Sequence, residues 1–126
     1  MAHATHDDYF TTVPAEVRPL LEAIQAEVER VVPTAQRCIS YQMPAYRTGT
    51  GKNRVFFYFA AFKKHIGVYP PVHDDALLYE LSSWRGPKDN LIFPLKETVP
   101  IALIGRVAAA LAQQYGQEAA VAPPVK

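Results

Sequence analysis

The chain has a single cysteine, Cys38, in 126 residues. With no second thiol an internal disulfide is excluded, and such a composition suits a reducing compartment. Net charge is only +1 with the four histidines neutral. A charge so close to zero offers no basic field to nucleic acid or an anionic membrane, so neither is expected as a partner. No run approaches about 18 consecutive apolar residues, and no membrane-spanning helix is expected. The opening segment MAHATHDDYF has neither a basic start nor an apolar stretch and does not read as a secretory signal. These absences set the expectation of a cytoplasmic protein. Catalytic signatures are also missing: there is no G-x-S-x-G, no H-E-x-x-H and no complete phosphate loop. Gly49-Thr50-Gly51-Lys52 lacks the full spacing of a phosphate loop and precedes a strand rather than a helix. The expectation is therefore a binding protein rather than an enzyme, with no catalytic residue and no metal-ligand set assigned.

What is present is apolar and well distributed. Apolar residues make up 49% of the chain and charged residues 20%, a globular balance. The length fits one domain spanning 1–126, with an ordered core over about 7–116 and a disordered tail over 117–126. The most apolar segment runs from Arg54 to Tyr69, RVFFYFAAFKKHIGVY. Val55 to Phe62 holds four Phe and one Tyr, which favours a strand shielded on both faces and central in a sheet. Lys63-Lys64 interrupts it, and His65-Ile66-Gly67-Val68-Tyr69 alternates as a second strand of a hairpin.

Helical spacing lies on either side. Val17, Leu20, Leu21, Ile24, Val28 and Val31 share one helix face. Thr12 and Pro14 resemble a cap and first helical position, but Pro19 conflicts with a helix interior, so the helix begins near Arg18 or is kinked there. Ahead of it, Asp7 is placed to cap a short turn carrying Tyr9 and Phe10. Cys38 to Tyr41 reads as a strand, which Pro44 breaks or places at an edge. Residues 48–53 read as a turn-rich loop. Asp74-Asp75 precede a short helix, Leu91 to Phe93 form a strand closed by Pro94, and a last helix spans Ile101 to Tyr115 with Gly116 as its stop. The order predicts an α+β fold: an antiparallel sheet with the N-terminal and C-terminal helices packed on one face. Alternation sends Ile66 and Val68 toward those helices, and His65, Gly67 and Tyr69 the other way.

The candidate site residues are Tyr41, Tyr58, Lys64, His65, Tyr69 and Trp84. Together with Tyr46, the four aromatic members could line a pocket on the sheet face without helices, or complete a second small core under the 70–90 loop. His65 is either a polar group in a pocket or a structural histidine bonded to nearby backbone. Lys63 and Lys64 either bind an anion or keep a hairpin end soluble. His73-Asp74-Asp75 could ligate a metal, but helix-start acids are the better account. Cys38 reads as a small buried apolar residue, and no local cue supports pairing it with His65.

Three segments carry a family resemblance. Ile39-Ser40-Tyr41-Gln42-Met43-Pro44-Ala45-Tyr46 resembles the I-S-Y-x-M-P-x-F segment of the YdhG-like family of small bacterial domains. Phe59-Ala60-Ala61-Phe62-Lys63-Lys64-His65-Ile66-Gly67 resembles its second signature. Ile92-Phe93-Pro94-Leu95, followed by Val99-Pro100-Ile101-Ala102-Leu103-Ile104, resembles the third. They occur in the family's order and cover roughly residues 7 to 115. The resemblance implies an antiparallel sheet flanked by terminal helices. For some members it implies a frataxin-like role as an intracellular iron chaperone, so iron is the one cofactor it raises. Most members have no assigned activity. Where members often carry acids just before the first segment, this chain has Gln36 and Arg37, which removes local carboxylates from a hard iron site.

Three functional expectations follow. The first is a binding module for a small-molecule ligand or protein partner on the aromatic sheet face. The second is an iron carrier using His65 or His73 with acidic neighbours. The third is an interaction or dimerisation domain, monomer or homodimer, using the same face.

Overall fold

The apolar run beginning at Val55 becomes the middle strand of a five-stranded sheet in the computed structural model, which describes residues 5–48, 55–86 and 90–117, with side chains as far as 114. The strands are β1 (Gln36–Ser40), β2 (Met43–Arg47), β3 (Val55–Ala61), β4 (His65–Tyr69) and β5 (Leu91–Pro94). Their spatial order is their chain order, and every neighbouring pair is antiparallel. The helices are α1 (His6–Phe10), α2 (Arg18–Val31), α3 (Asp75–Glu80) and α4 (Ile101–Leu111).

The conflict at Pro19 resolves in favour of a late start. α2 begins at Arg18, so Pro19 falls in its first turn, where no intrahelical N–H is needed. The residues from Pro14 to Val17 form a turn ahead of it, in which Val17 N donates to Pro14 O at 2.9 Å. Leu21, Ile24 and Val28 are its buried stripe. At α1 the cap is Thr5 rather than Asp7: its hydroxyl accepts from Asp8 N at 3.1 Å. Asp74 caps α3 by accepting from Leu77 N at 3.0 Å. The last helix differs from expectation at its end. α4 closes at Leu111, and the backbone widens into a π-helical turn over Ala112–Gln117 that runs past Gly116. Most of the expected loop at 48–53 and most of the expected tail at 117–126 lie outside the described residues.

Pro44 does not end its strand. It lies inside β2, opposite Ile39 of β1, while the β2–β3 ladder starts one residue later at Ala45–Tyr58. Its missing N–H therefore costs no bond in that ladder. Between Tyr46–Phe57 and Arg47–Val55 the register shifts, and Phe56 is the extra residue of a bulge.

Core and outer face follow from register. On one face, Phe59 is opposite Val68, Ala61 opposite Ile66, and Ile66 opposite Phe93. All but the partly buried Ala61 belong to the buried core, together with the apolar stripes of α2 and α4. α2 and α4 lie side by side over this layer. Their approach is close: a side chain on Gly105 of α4 would put its Cβ 2.6 Å from Glu27 Cγ of α2. α1 docks through His6, Tyr9 and Phe10, with Tyr9 clamping the end of β3. The Tyr9 hydroxyl accepts from Ala61 N at 3.0 Å and donates to Ala61 O at 3.4 Å.

Candidate functional site: the outward face of the sheet

The alternation that buries Ile66 and Val68 turns His65, Gly67 and Tyr69 outward. Across the strands, Cys38 is opposite Ala45, Ala45 opposite Tyr58, and Tyr58 opposite Tyr69. The next row runs Ala60, Gly67 and Ile92. Small residues thus floor the face between larger ones. Tyr69 lies down over this floor, and a Cβ on Gly67 would meet its hydroxyl at 2.7 Å and the Phe62 ring at 3.1 Å. Glycine is needed here because two rings occupy the space a side chain would fill.

Rings continue at both ends of this row. Tyr41 sits in the two-residue turn joining β1 and β2, with φ of 52° at Tyr41 and 62° at Gln42. Its ring centroid is 5.8 Å from that of Tyr58, yet Tyr41 is 80% exposed. At the other end Phe62 stacks on His65 with centroids 4.9 Å apart, and Phe62 is 43% exposed. Burial pushes the Tyr58 and Tyr69 phenols upward from their ordinary value, so both remain neutral hydroxyl groups at physiological pH.

The structure therefore brings Tyr41, Tyr58, His65 and Tyr69 onto one face, and adds Phe62. It does not bring all the expected residues there. Tyr46 is fully buried on the helix side, stacked 6.4 Å from Phe59, and its hydroxyl donates to Glu29 Oε2 at 2.6 Å. Burial, followed by that bond to a carboxylate, drives its phenol far upward. Arg37 grips the same carboxylate through two bonds of 2.6 and 3.2 Å and holds Glu29 below its ordinary range. Trp84 packs on Phe93 with centroids 5.6 Å apart and joins the main core. The expectation of these two on the outer face is corrected: Tyr46 is opposite the inward Phe57, and the 70–90 segment folds Trp84 onto β5. Lys64 sits in the β3–β4 turn and lines a cleft on α2's side, away from the tyrosines.

Two residues were not legible as important. Phe62 continues the 58, 60, 62 alternation of β3 just past its end, which is the signal that would have placed it outward. His6 is 2% exposed. Its Nε2 lies 2.9 Å from Ala45 O and 3.1 Å from Cys38 O, so that nitrogen carries the proton and donates to both strands. Its Nδ1 accepts from Gln25 Nε2 at 3.0 Å. Burial holds its pKa below the ordinary value. The spacing of His6, Tyr9 and Phe10 at i, i+3 and i+4, one helical face, was the available clue.

Reactive chemistry finds little support on these elements. Burial pushes the Cys38 thiol up, away from the thiolate that a nucleophile requires. Among the described residues no group of three or more His, Cys, Asp or Glu side chains is placed to hold a metal ion. Asp74 is taken up as a helix cap, and the His73 backbone N–H donates to Gln114 Oε1 at 2.8 Å. Among the described residues, the side chains brought together do not make up the carboxylate and imidazole set that a hard iron site needs. No described helix is long and apolar enough to cross a membrane.

The fold and its open face define a two-layer α+β domain, a five-stranded antiparallel meander with helices on one side. A solved protein of the DUF1801 family, YdhG from Bacillus subtilis, has the same architecture: TM-score 0.69 over 94% of each chain, at 14% identity. At that identity the likeness establishes the fold, and it is the fold of the family that the three sequence segments resemble. No family model matches the chain, and no curated protein matches it by sequence.

Proposed function

We propose that the chain is a non-enzymatic binding domain whose ligand or protein partner seats on the outward sheet face, between Tyr41 and His65. One observation supports this reading above the others: Tyr41, Tyr58, Tyr69, Phe62 and His65 form a band of rings on that face, with Tyr41 and Phe62 at its exposed ends. Tyrosines on a rigid sheet give large contact area with little rotamer freedom to lose, and each hydroxyl can still orient a polar partner. Such rings are enriched at the centres of protein interfaces. The small floor of Ala45, Ala60 and Gly67 holds them in place from below.

The test is a set of amide NMR spectra of the full chain, recorded across a wide concentration range and with a panel of planar aromatic fragments. Expected are shifts confined to the β1–β2 turn, β3 and β4, with loss of response in the Tyr41→Ser, Phe62→Ser double variant. Both side chains are exposed enough for the variant to fold. Shifts clustering elsewhere, or persisting in that variant, would show the reading to be wrong. An anaerobic iron titration by calorimetry on wild type and His65→Ala addresses the iron-carrier alternative. Saturable heat in the wild type that disappears in the variant would favour iron over the present reading.

A further inference from the structure

We propose a second, separate site: the cleft between the start of α2 and the β3–β4 turn binds a single-tailed amphiphilic anion, an aliphatic body carrying one carboxylate or phosphate head. The cleft has a volume of about 820 Å³, within the size range of small-molecule sites. Its lining divides into two kinds of surface. Pro14, Val17, Leu20, Pro94 and Leu95 are apolar, whereas Lys63, Lys64 and Lys96 bring three ammonium groups against the single carboxylate of Glu16. None of Tyr41, Tyr58, His65 or Tyr69 lines it, and the sheet face meets it only at Phe62, in an adjoining cavity.

The charge here is notable because the chain as a whole carries only +1. Elsewhere the arginines Arg18, Arg30, Arg37 and Arg106 are each matched to a glutamate. The three cleft lysines have no ion pair with any described residue. Two chain segments supply them, and Leu95 N donates to Lys64 O at 2.9 Å, which ties the β3–β4 turn to the segment carrying Lys96. Their shared placement is therefore built into the fold. A positive rim over an apolar, low-dielectric wall attracts an anionic head more strongly than an isolated surface lysine does.

The apolar part decides what kind of anion fits. A free inorganic anion would leave the proline, valine and leucine surfaces in water, and a nucleic acid would need a basic track rather than one pocket. A smaller cavity of about 290 Å³, lined by Tyr9, Thr12, Val13, Ala61 and Phe62, shares Pro14, Val17 and Lys63 with the cleft. It continues the apolar wall past Lys63, away from Lys64 and Lys96, and gives a tail somewhere to extend. Each methylene of such a tail that leaves water adds to affinity, so head and tail act together.

The experiment is calorimetric titration of the full chain with dodecanoate and with dodecyl phosphate, below the concentrations at which they form micelles. Three comparisons accompany it: dodecyltrimethylammonium, inorganic phosphate, and vesicles of an anionic phospholipid. Expected is saturable one-to-one binding of either anionic amphiphile. A Lys63→Glu, Lys64→Glu, Lys96→Glu variant should weaken that binding about tenfold or more, and Glu16→Gln should tighten it. All four side chains are exposed, so circular dichroism and thermal melts should show the fold retained. The proposal is overturned by any of four results: no binding of either anionic amphiphile, equal binding of the cationic one, undiminished affinity in the triple variant, or inorganic phosphate binding as tightly as dodecanoate. Binding to vesicles without binding of the free amphiphiles would also overturn it.

Discussion

A buried histidine takes up a second proton less readily than one in water. At His6, Nε2–H donates into β1 and β2, while Nδ1 accepts from Gln25 on α2. Burial away from water disfavours the charged ring, with Arg37 adding repulsion, and the bonds to the Ala45 and Cys38 carbonyls and the charge of Glu29 only partly offset this. The folded-state pKa accordingly lies below the ordinary 6.5. The sign is then fixed. The unfolded chain takes up the proton more readily, so the contribution of His6 is fully present above about pH 6.5 and is lost as pH falls toward its folded value. Urea denaturation across this range should show wild-type stability declining as pH drops below about 6.5. His6→Leu should cost about 1–3 kcal/mol near neutrality, since two strand carbonyls lose their donor, and should flatten that decline. An unchanged pH slope in the variant would mean that another group is responsible. Glu29 does not mimic this effect: its depressed carboxyl contributes stability above its ordinary value of 4.5, lost only as pH falls further.

At the scale of elements, the contact between α2 and α4 sets a different kind of constraint. Gly105 is buried within α4, where an alanine would ordinarily add about 1 kcal/mol through helix propensity. Here the new Cβ would fall 2.6 Å from Glu27 Cγ and 2.8 Å from its Oε2, so the glutamate must move. Its bidentate pairing with Arg30 moves with it. Gly105→Ala in the wild-type background is expected to give less than the full propensity gain. In a Glu27→Ala background the same change should recover that gain, and the double-mutant cycle measures the difference. Additive effects would show that the close approach is relieved at no cost. The β1–β2 turn shows why some element boundaries were hidden. A two-residue turn with both φ values positive is usually signalled by Asn-Gly. Tyr41-Gln42 carries no such signal, so Tyr41 reads as the end of a strand and Pro44 as its breaker, when the turn lies between them.

For the molecule as a whole, period and punctuation carried the fold. The hairpin of β3 and β4, the helix stripe of α2 and the short β5 were all readable from apolar spacing and from Pro, Gly and Asp positions. The inward direction of Ile66 and Val68 followed from alternation within one strand. The site was legible only where alternation alone decides the face, at His65 and Tyr69. Tyr46 and Trp84 depended on pairing register and on the path of a loop, which are tertiary quantities that no local pattern encodes. His6 was hidden for the same reason: three of its partners lie 19, 32 and 39 residues away in sequence.

Because each strand pairs with its neighbours in the chain, the sheet can assemble from successive hairpins without a crossover. The pairing of α2 with α4 is different, since it joins segments on opposite sides of the whole sheet in sequence. Closing that long loop carries an entropic cost before any contact rewards it. The order of events expected in time is hairpins first and the helix pair last. Changes at the α2–α4 contact should then act mainly on the unfolding limb of a chevron plot, and Ala60→Gly in β3 mainly on the folding limb. The arrangement of the strands thus bears on how long the folded chain survives as well as on its shape: resistance to unfolding would rest on the helix pair, and the speed of folding on the meander beneath it.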